Sequence, residues 1–100
     1  MNARSVRFVL GPGTKWEADH MAKAAMVVVK KQPGFVKAIF LSEYETGEYE
    51  WIFFWKTKED AMRAYEDLSA PFYDMIGDHV LWNQPCSQLY EVYNVTSPKS

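Results

Sequence analysis

Few residues of this chain are equipped for chemistry, and they stand apart. Two histidines are present, His20 and His79. An imidazole can take or give a proton near neutral pH. His79 follows Gly77 and Asp78, after a segment that reads as a short helix, and serves there either as an acid or base or as an exposed loop residue. His20 comes four residues after Trp16, so the two share one helix face. They either reach a pocket beneath the helix or stack on each other at its edge. Neither histidine has a cysteine or second histidine at metal-ligand spacing, so no dedicated zinc site is expected. Cys86 is the only cysteine, which excludes an internal disulfide and reads most simply as a half-buried thiol with no role. Asp74 is the only carboxylate within "PFYDMI". Glu43, Glu45, Glu48 and Glu50 read as a solvated rim that blunts sheet edges against aggregation. Gly11-Pro12-Gly13 lacks the further glycines and the following Lys or Ser of a phosphate-cradling loop. No nucleophile, base and orienting group can be assembled from these residues. No catalytic residue is assigned, and no metal or cofactor is expected.

The elements that must position such residues come next. The chain has 100 residues and a net charge of −2, which fits one domain over residues 1–100. A domain of this size buries ~65% of its unfolded surface, so its core is modest. Yet 48% of the residues are hydrophobic and 16% aromatic. That surplus predicts an interface or a ligand pocket. No basic stripe suits a nucleic acid. No apolar run approaches the ~18 residues of a membrane helix, and "MNARSVRF" lacks a signal-peptide core. The expectation is a soluble, cytoplasmic protein with neither nucleic acid nor membrane as partner.

"SVRFVL" predicts a strand over Ser5–Leu10, ended by Gly11-Pro12-Gly13. Thr14-x-x-Glu17 has the form of a capping box before a helix over Lys15–Lys31. In that helix Ala18, Met21, Ala25, Val28 and Val29 recur at helical spacing, and Lys30 and Lys31 suit the negative end of its dipole. Phe35–Tyr44 and Glu48–Trp55 predict a hairpin around Gly47. Thr57 caps a second helix with Ala61, Ala64, Tyr65 and Leu68 as its apolar stripe. Pro71 predicts the start of a further short helix that ends at Gly77. Ser87–Val95 predicts a fourth strand, and "TSPKS" a frayed tail.

The order β-α-β-β-α-β is the ferredoxin-like arrangement, an α+β fold. Its helices cover one sheet face. The last five residues of "EYEWIFFW" are all apolar, so strand three asks for burial on both faces. Leaving Ile52, Phe54 and one set from Phe35–Leu41 in water would forfeit ~1.5–3 kcal/mol per side chain. That loss rivals a whole domain's ~5–15 kcal/mol. A second copy across a two-fold axis is the simplest cover, so a homodimer is expected.

The run "QPGFVKAIFL … YEWIFFWKTKEDAMRAYE", followed by "PFYDMIGDHV", resembles the dimeric α+β barrel superfamily, specifically the antibiotic-biosynthesis-monooxygenase type. The resemblance spans about Val6 to Val95. It implies a dimeric barrel of two sheets with a pocket between each sheet and its helices, and several chemistries. Some members oxidise aromatic polyketides with O₂ and no cofactor. Haem-degrading members use an Asn on strand one, a Trp at the end of strand three and a His after the second helix. Trp55 matches the Trp. "SVRFVL" has no Asn, Arg7 lying nearest, and either Ile76 or His79 aligns with the His. One match in three does not support haem degradation. Other relatives isomerise lactones or have no known activity.

By the same resemblance Tyr49, Trp51, Phe53 and Trp55, which share one strand face, look toward the helices. The residues expected to line the pocket are Phe8, Trp16, His20 and Met21 from the first half of the chain. Phe53, Trp55, Phe72, Met75 and His79 join them from the second, with Arg7 or a histidine steering the polar end of the guest. Two functions follow as expectations. One is a cofactor-independent monooxygenase acting on a hydrophobic small molecule. The other is a non-enzymatic binder of a hydrophobic ligand such as a fatty acid, or a structural dimer.

Overall fold

A computed structural model of the chain describes residues 1–76 and 85–98. Six elements follow in the order β1 (Asn2–Val9), α1 (Lys15–Val29), β2 (Phe35–Glu43), β3 (Glu48–Trp55), α2 (Lys58–Ile76) and β4 (Cys86–Glu91). The strands form one antiparallel sheet in the order β2-β3-β1-β4, and the ferredoxin-like α+β fold is the one the sequence predicts. β1 starts three residues earlier than its alternation suggests. Asn2, Ala3 and Arg4 have no apolar rhythm, but they pair with Trp55, Phe54 and Phe53 on one side and Glu91, Tyr90 and Leu89 on the other. Two neighbours supply the ladder bonds that local propensity does not. β1 therefore does contain an asparagine, Asn2, opposite Trp55.

Alternation along the central strands sorts the side chains. Tyr49, Trp51 and Trp55 of β3 and Val6 and Phe8 of β1 are buried, together with Ala18 and Met21 of α1 and Ala61 and Ala64 of α2. Two clusters result. Val6, Phe8, Leu10, Tyr49 and Trp51 pack on Ala18 and Met21, while Trp55 packs on Val29, Ala61 and Ala64. The alternate residues of the same strands form the other face, with Ala3 opposite Phe54, Ser5 opposite Ile52, Arg7 opposite Glu50 and Ile39 opposite Ile52. Neither helix reaches that face. Ile39, Leu41 and Tyr90 are exposed there, Tyr90 by 53%, and so is Cys86, which is not half-buried as expected.

The helix ends depart from expectation in physically readable ways. Thr14 precedes α1 and its carbonyl receives the first helical bond, from Ala18 N at 2.9 Å. Its hydroxyl makes no cap. It donates to the Gly11 carbonyl at 2.7 Å and meets the Tyr49 hydroxyl at 2.9 Å, so the capping box is not formed. Thr57 does cap α2, accepting from Asp60 N–H at 3.1 Å. Helix α1 ends at Val29, leaving Lys30 as its cap and Lys31 beyond. Helix α2 does not stop before Pro71 but runs through it to Ile76. Ala61, Ala64, Leu68, Phe72 and Met75 make one stripe at spacings of three and four. Its burial outweighs the single backbone bond that proline forfeits.

One glycine is held by its surroundings as well as by its backbone. Gly47 has φ +73°, and a Cβ there would fall on the backbone of Gly11. Its carbonyl takes the Leu10 N–H at 2.8 Å, tying the β2–β3 turn to the end of β1. Gly13, at φ +78°, has open space around it. Gly13→Ala should cost the left-handed backbone penalty of ~1–2 kcal/mol. Gly47→Ala should cost a further ~1–3 kcal/mol because backbone must shift. Urea midpoints of the two variants check this, and equal midpoints would show that the close approach does not matter.

Candidate functional site: a cavity between the sheet and both helices

The face of the sheet that meets the helices is not filled by them. α1 presents Ala24, Ala25, Val28 and Val29, and α2 presents Ala61, Ala64, Tyr65 and Leu68. Alanines are too short to reach large rings across a sheet–helix gap, and a cavity of about 230 Å³ remains. Its floor is Arg4 and Val6 of β1, Phe53 and Trp55 of β3, and Ser87 of β4. Its far wall is the end of α2, with Phe72, Tyr73 and Met75. A cavity of ~150 Å³ lined by aliphatic side chains holds a benzene ring, so this one suits about two fused rings or a medium acyl chain.

Most of the lining is hydrocarbon, and the polar groups gather in one place. Arg4 Nη1 donates to Ser87 Oγ at 3.4 Å, a long bond. The guanidinium carbon lies 4.3 Å from the centre of the Tyr65 ring, in cation–π contact. Arg4 Nε is sealed from solvent and has no partner among the described residues. Burial pushes the Arg4 pKa down, against the opposing effect of Tyr65 and Tyr73. An arginine still stays cationic at any ordinary pH. The Tyr73 phenol is pushed up to about 12, first by the nearby Tyr65 hydroxyl and then by burial. It is an O–H donor at neutral pH.

The sequence-predicted residues divide. Phe53, Trp55, Phe72 and Met75 stand on the cavity wall. Phe8 and Met21 lie in the adjoining core cluster, with Phe72 and Met75 packed against it. Trp16 and His20 do not reach the cavity. Their rings stack on each other, 5.2 Å apart and 5° from parallel, and Trp16 is 72% exposed. Four residues of spacing says that two side chains share a face, not which face. Arg7 is on the opposite side of the sheet, in a wider hollow with Leu41, Glu43, Glu50 and Cys86, and so cannot steer a guest between sheet and helices. His79 lies outside the described residues. Arg4, Tyr65, Tyr73 and Ser87 were not anticipated as site residues. For Arg4 the signal was available, since counting back by two from Phe8 and Val6 puts it on the same face.

No protein-family model matches the chain, and no curated protein matches it in sequence. Solved structures do match in fold. A putative antibiotic biosynthesis monooxygenase from Nitrosomonas europaea superposes with a TM-score of 0.77 at 14% identity, over 94% of this chain and 100% of its own. SnoaB, a cofactor-independent oxygenase from Streptomyces nogalater, gives 0.73 at 18% identity, over 94% and 93%. The ActVA-Orf6 monooxygenase of Streptomyces coelicolor, in complex with the ligand nanaomycin D, gives 0.73 at 15% identity, over 98% and 92%. Across almost its whole length, this chain has the fold of the antibiotic-biosynthesis-monooxygenase type.

Proposed function

We propose that this is a homodimeric protein of the monooxygenase type. It takes a hydrophobic small molecule of about two fused rings between its sheet and its helices and oxygenates it without a cofactor. The cavity carries the reading, because it opens in the layer where the small alanines of both helices face Trp55 and Phe53. Two of the structures sharing this fold are an oxygenase and a monooxygenase, one of them with a ligand bound. Without a cofactor the substrate must supply both electrons. An electron-rich ring does so: a ring C–H becomes C=O, one oxygen atom enters the ring and the other leaves as water with two hydrogens. 1-Naphthol, dioxygen, naphthoquinone and water balance in this way. The role of the protein is to position the ring against Trp55 and Phe53 and to keep water away from it.

A second reading, a binder with no activity, is favoured by the lack of an assembled nucleophile and base among the described residues. The two separate cleanly. Titration with 1-naphthol should change tryptophan fluorescence and raise the melting temperature, and an oxygen electrode should then record uptake above the buffer rate. Binding without uptake selects the binder. Silence in fluorescence and melting, repeated in a Trp55→Ala variant, leaves plain core packing as the only reading of the cavity.

A further inference from the structure

We infer that the cavity receives its guest as an anion, an apolar molecule of bicyclic size bearing a carboxylate that seats against Arg4 with the Ser87 hydroxyl beside it. The inference rests on the reading of the cavity as a binding site and adds the charge of what enters.

Arg4 is a permanent cation on a wall that is mostly hydrocarbon and otherwise uncharged among the described residues. A cation drawn partly out of water, as half-buried Arg4 is, gains from an opposite charge or a full set of hydrogen bonds. Arg4 has neither among the described residues. The only ion pairs there are Lys15–Asp19 and Arg63–Asp60, both away from it. Of the five N–H donors of a guanidinium, one makes a long bond to Ser87 and the Nε–H has no acceptor. The net charge of the chain is −2, so Arg4 does not belong to a general basic surplus.

Geometry narrows the missing partner. The guanidinium carbon lies over the Tyr65 ring, 4.3 Å from its centre, so the ring takes up one side of the group and any guest must meet it from another. A planar fork edge matches the two oxygens of a carboxylate, which a single hydroxyl or carbonyl does not. Ser87 Oγ, which accepts from Arg4, keeps its own O–H to donate to the same group. Beyond this polar end Val28, Val29, Trp55, Leu68 and Phe72 offer nothing to a second charge. The guest is therefore amphipathic, with its charge at the Arg4 end.

Calorimetric titration with 2-naphthoate and its neutral isostere 2-naphthamide tests this. The unmodified protein should bind the carboxylate about tenfold or more tighter, as one charge-assisted pair would give. Arg4→Met should bring naphthoate down to the naphthamide level and leave naphthamide within about threefold. Arg4→Lys, a point charge without the fork, should keep part of the preference. Equal binding of the two probes by the unmodified protein overturns the anion inference and leaves the cavity reading standing. Binding of neither removes both. A preference that survives in a folded Arg4→Met protein overturns the assignment to Arg4. If Arg4→Met does not fold, the isostere comparison on the unmodified protein and on Ser87→Ala still decides, with a smaller preference expected in the latter.

Discussion

Replacing Phe54 by Lys should turn a two-chain particle into largely unfolded single chains. Phe54 sits in β3 on the sheet face without helices, between Ala3 and Lys37 and on the same face as Ile52, Ile39, Leu41 and Tyr90. Lys37 Nζ already lies 4.9 Å from its ring centre, so the new ammonium would meet a like charge as well as an apolar patch. In the proposed assembly a second copy covers this patch. Each large apolar side chain returned to water forfeits ~1.5–3 kcal/mol, and several together approach the ~5–15 kcal/mol that holds a domain folded. Dissociation and unfolding should therefore coincide. Light scattering at micromolar concentration should give two chains for the unmodified protein and for Phe54→Leu, and Phe54→Lys should lose its circular dichroism along with its dimer mass. A single-chain mass for the unmodified protein would sink the argument.

Trp51→Ala should be the most damaging truncation of the core. Trp51 is 2% exposed, and four rings meet it edge-on, Phe8 at 5.1 Å, Phe40 at 5.2 Å, Phe72 at 5.3 Å and Phe53 at 6.3 Å between centroids. It thereby links β1, β2 and the end of α2. Removing such a side chain costs ~3–5 kcal/mol, and each edge-to-face pair is worth a further part of ~0.5–1.5 kcal/mol beyond burial. Urea unfolding followed by circular dichroism should show the midpoint collapse. Trp16→Ala, on the surface, should shift stability by no more than ~0.5 kcal/mol. Comparable losses in the two variants would mean that the aromatic cluster is not the centre of the core.

What the sequence made legible follows from where local signals agree with tertiary ones. β3 was read to the residue because its aromatic run and the Gly47 turn both bound it. β1 is legible only from Ser5, because Asn2, Ala3 and Arg4 carry no apolar rhythm and owe their strand to pairing on both sides. The missing rhythm hides Arg4, the one charged group on the cavity wall among the described residues, and favours Arg7, three residues on, which faces the other way. Pro71 signals a helix start on local grounds, whereas packing of Phe72 and Met75 carries α2 through it. Phe53 and Trp55 are legible because alternation puts them on one strand face and the family resemblance turns that face toward the helices, and Phe72 and Met75 because they are the large apolar residues at the end of the second helical stretch. Tyr73 and Ser87 are not, since their meeting with Arg4 depends on how α2 and β4 flank β1, which no spacing within one element encodes.

The uneven make-up of β3 has a consequence for heredity. Its second half, Trp51 to Trp55, is apolar on both sides, so a strand shifted by one residue would still bury rings on either face. Hydrophobicity there does not choose between the two alignments. The choice falls to the first half. A shift would carry Glu48 and Glu50 inward in place of Tyr49 and Trp51 and would break the 2.6 Å bond from Ser5 Oγ to Glu50. An ionised carboxylate in that core would cost several kcal/mol. The acidic residues thus act as the keel of the strand. Insertions and deletions in descendants of this gene should survive in the Glu43–Glu48 turn or the β2 bulge between Phe35 and Lys37, and should be purged from β3 itself, where one codon would exchange the wall of the cavity for the opposite face of the sheet.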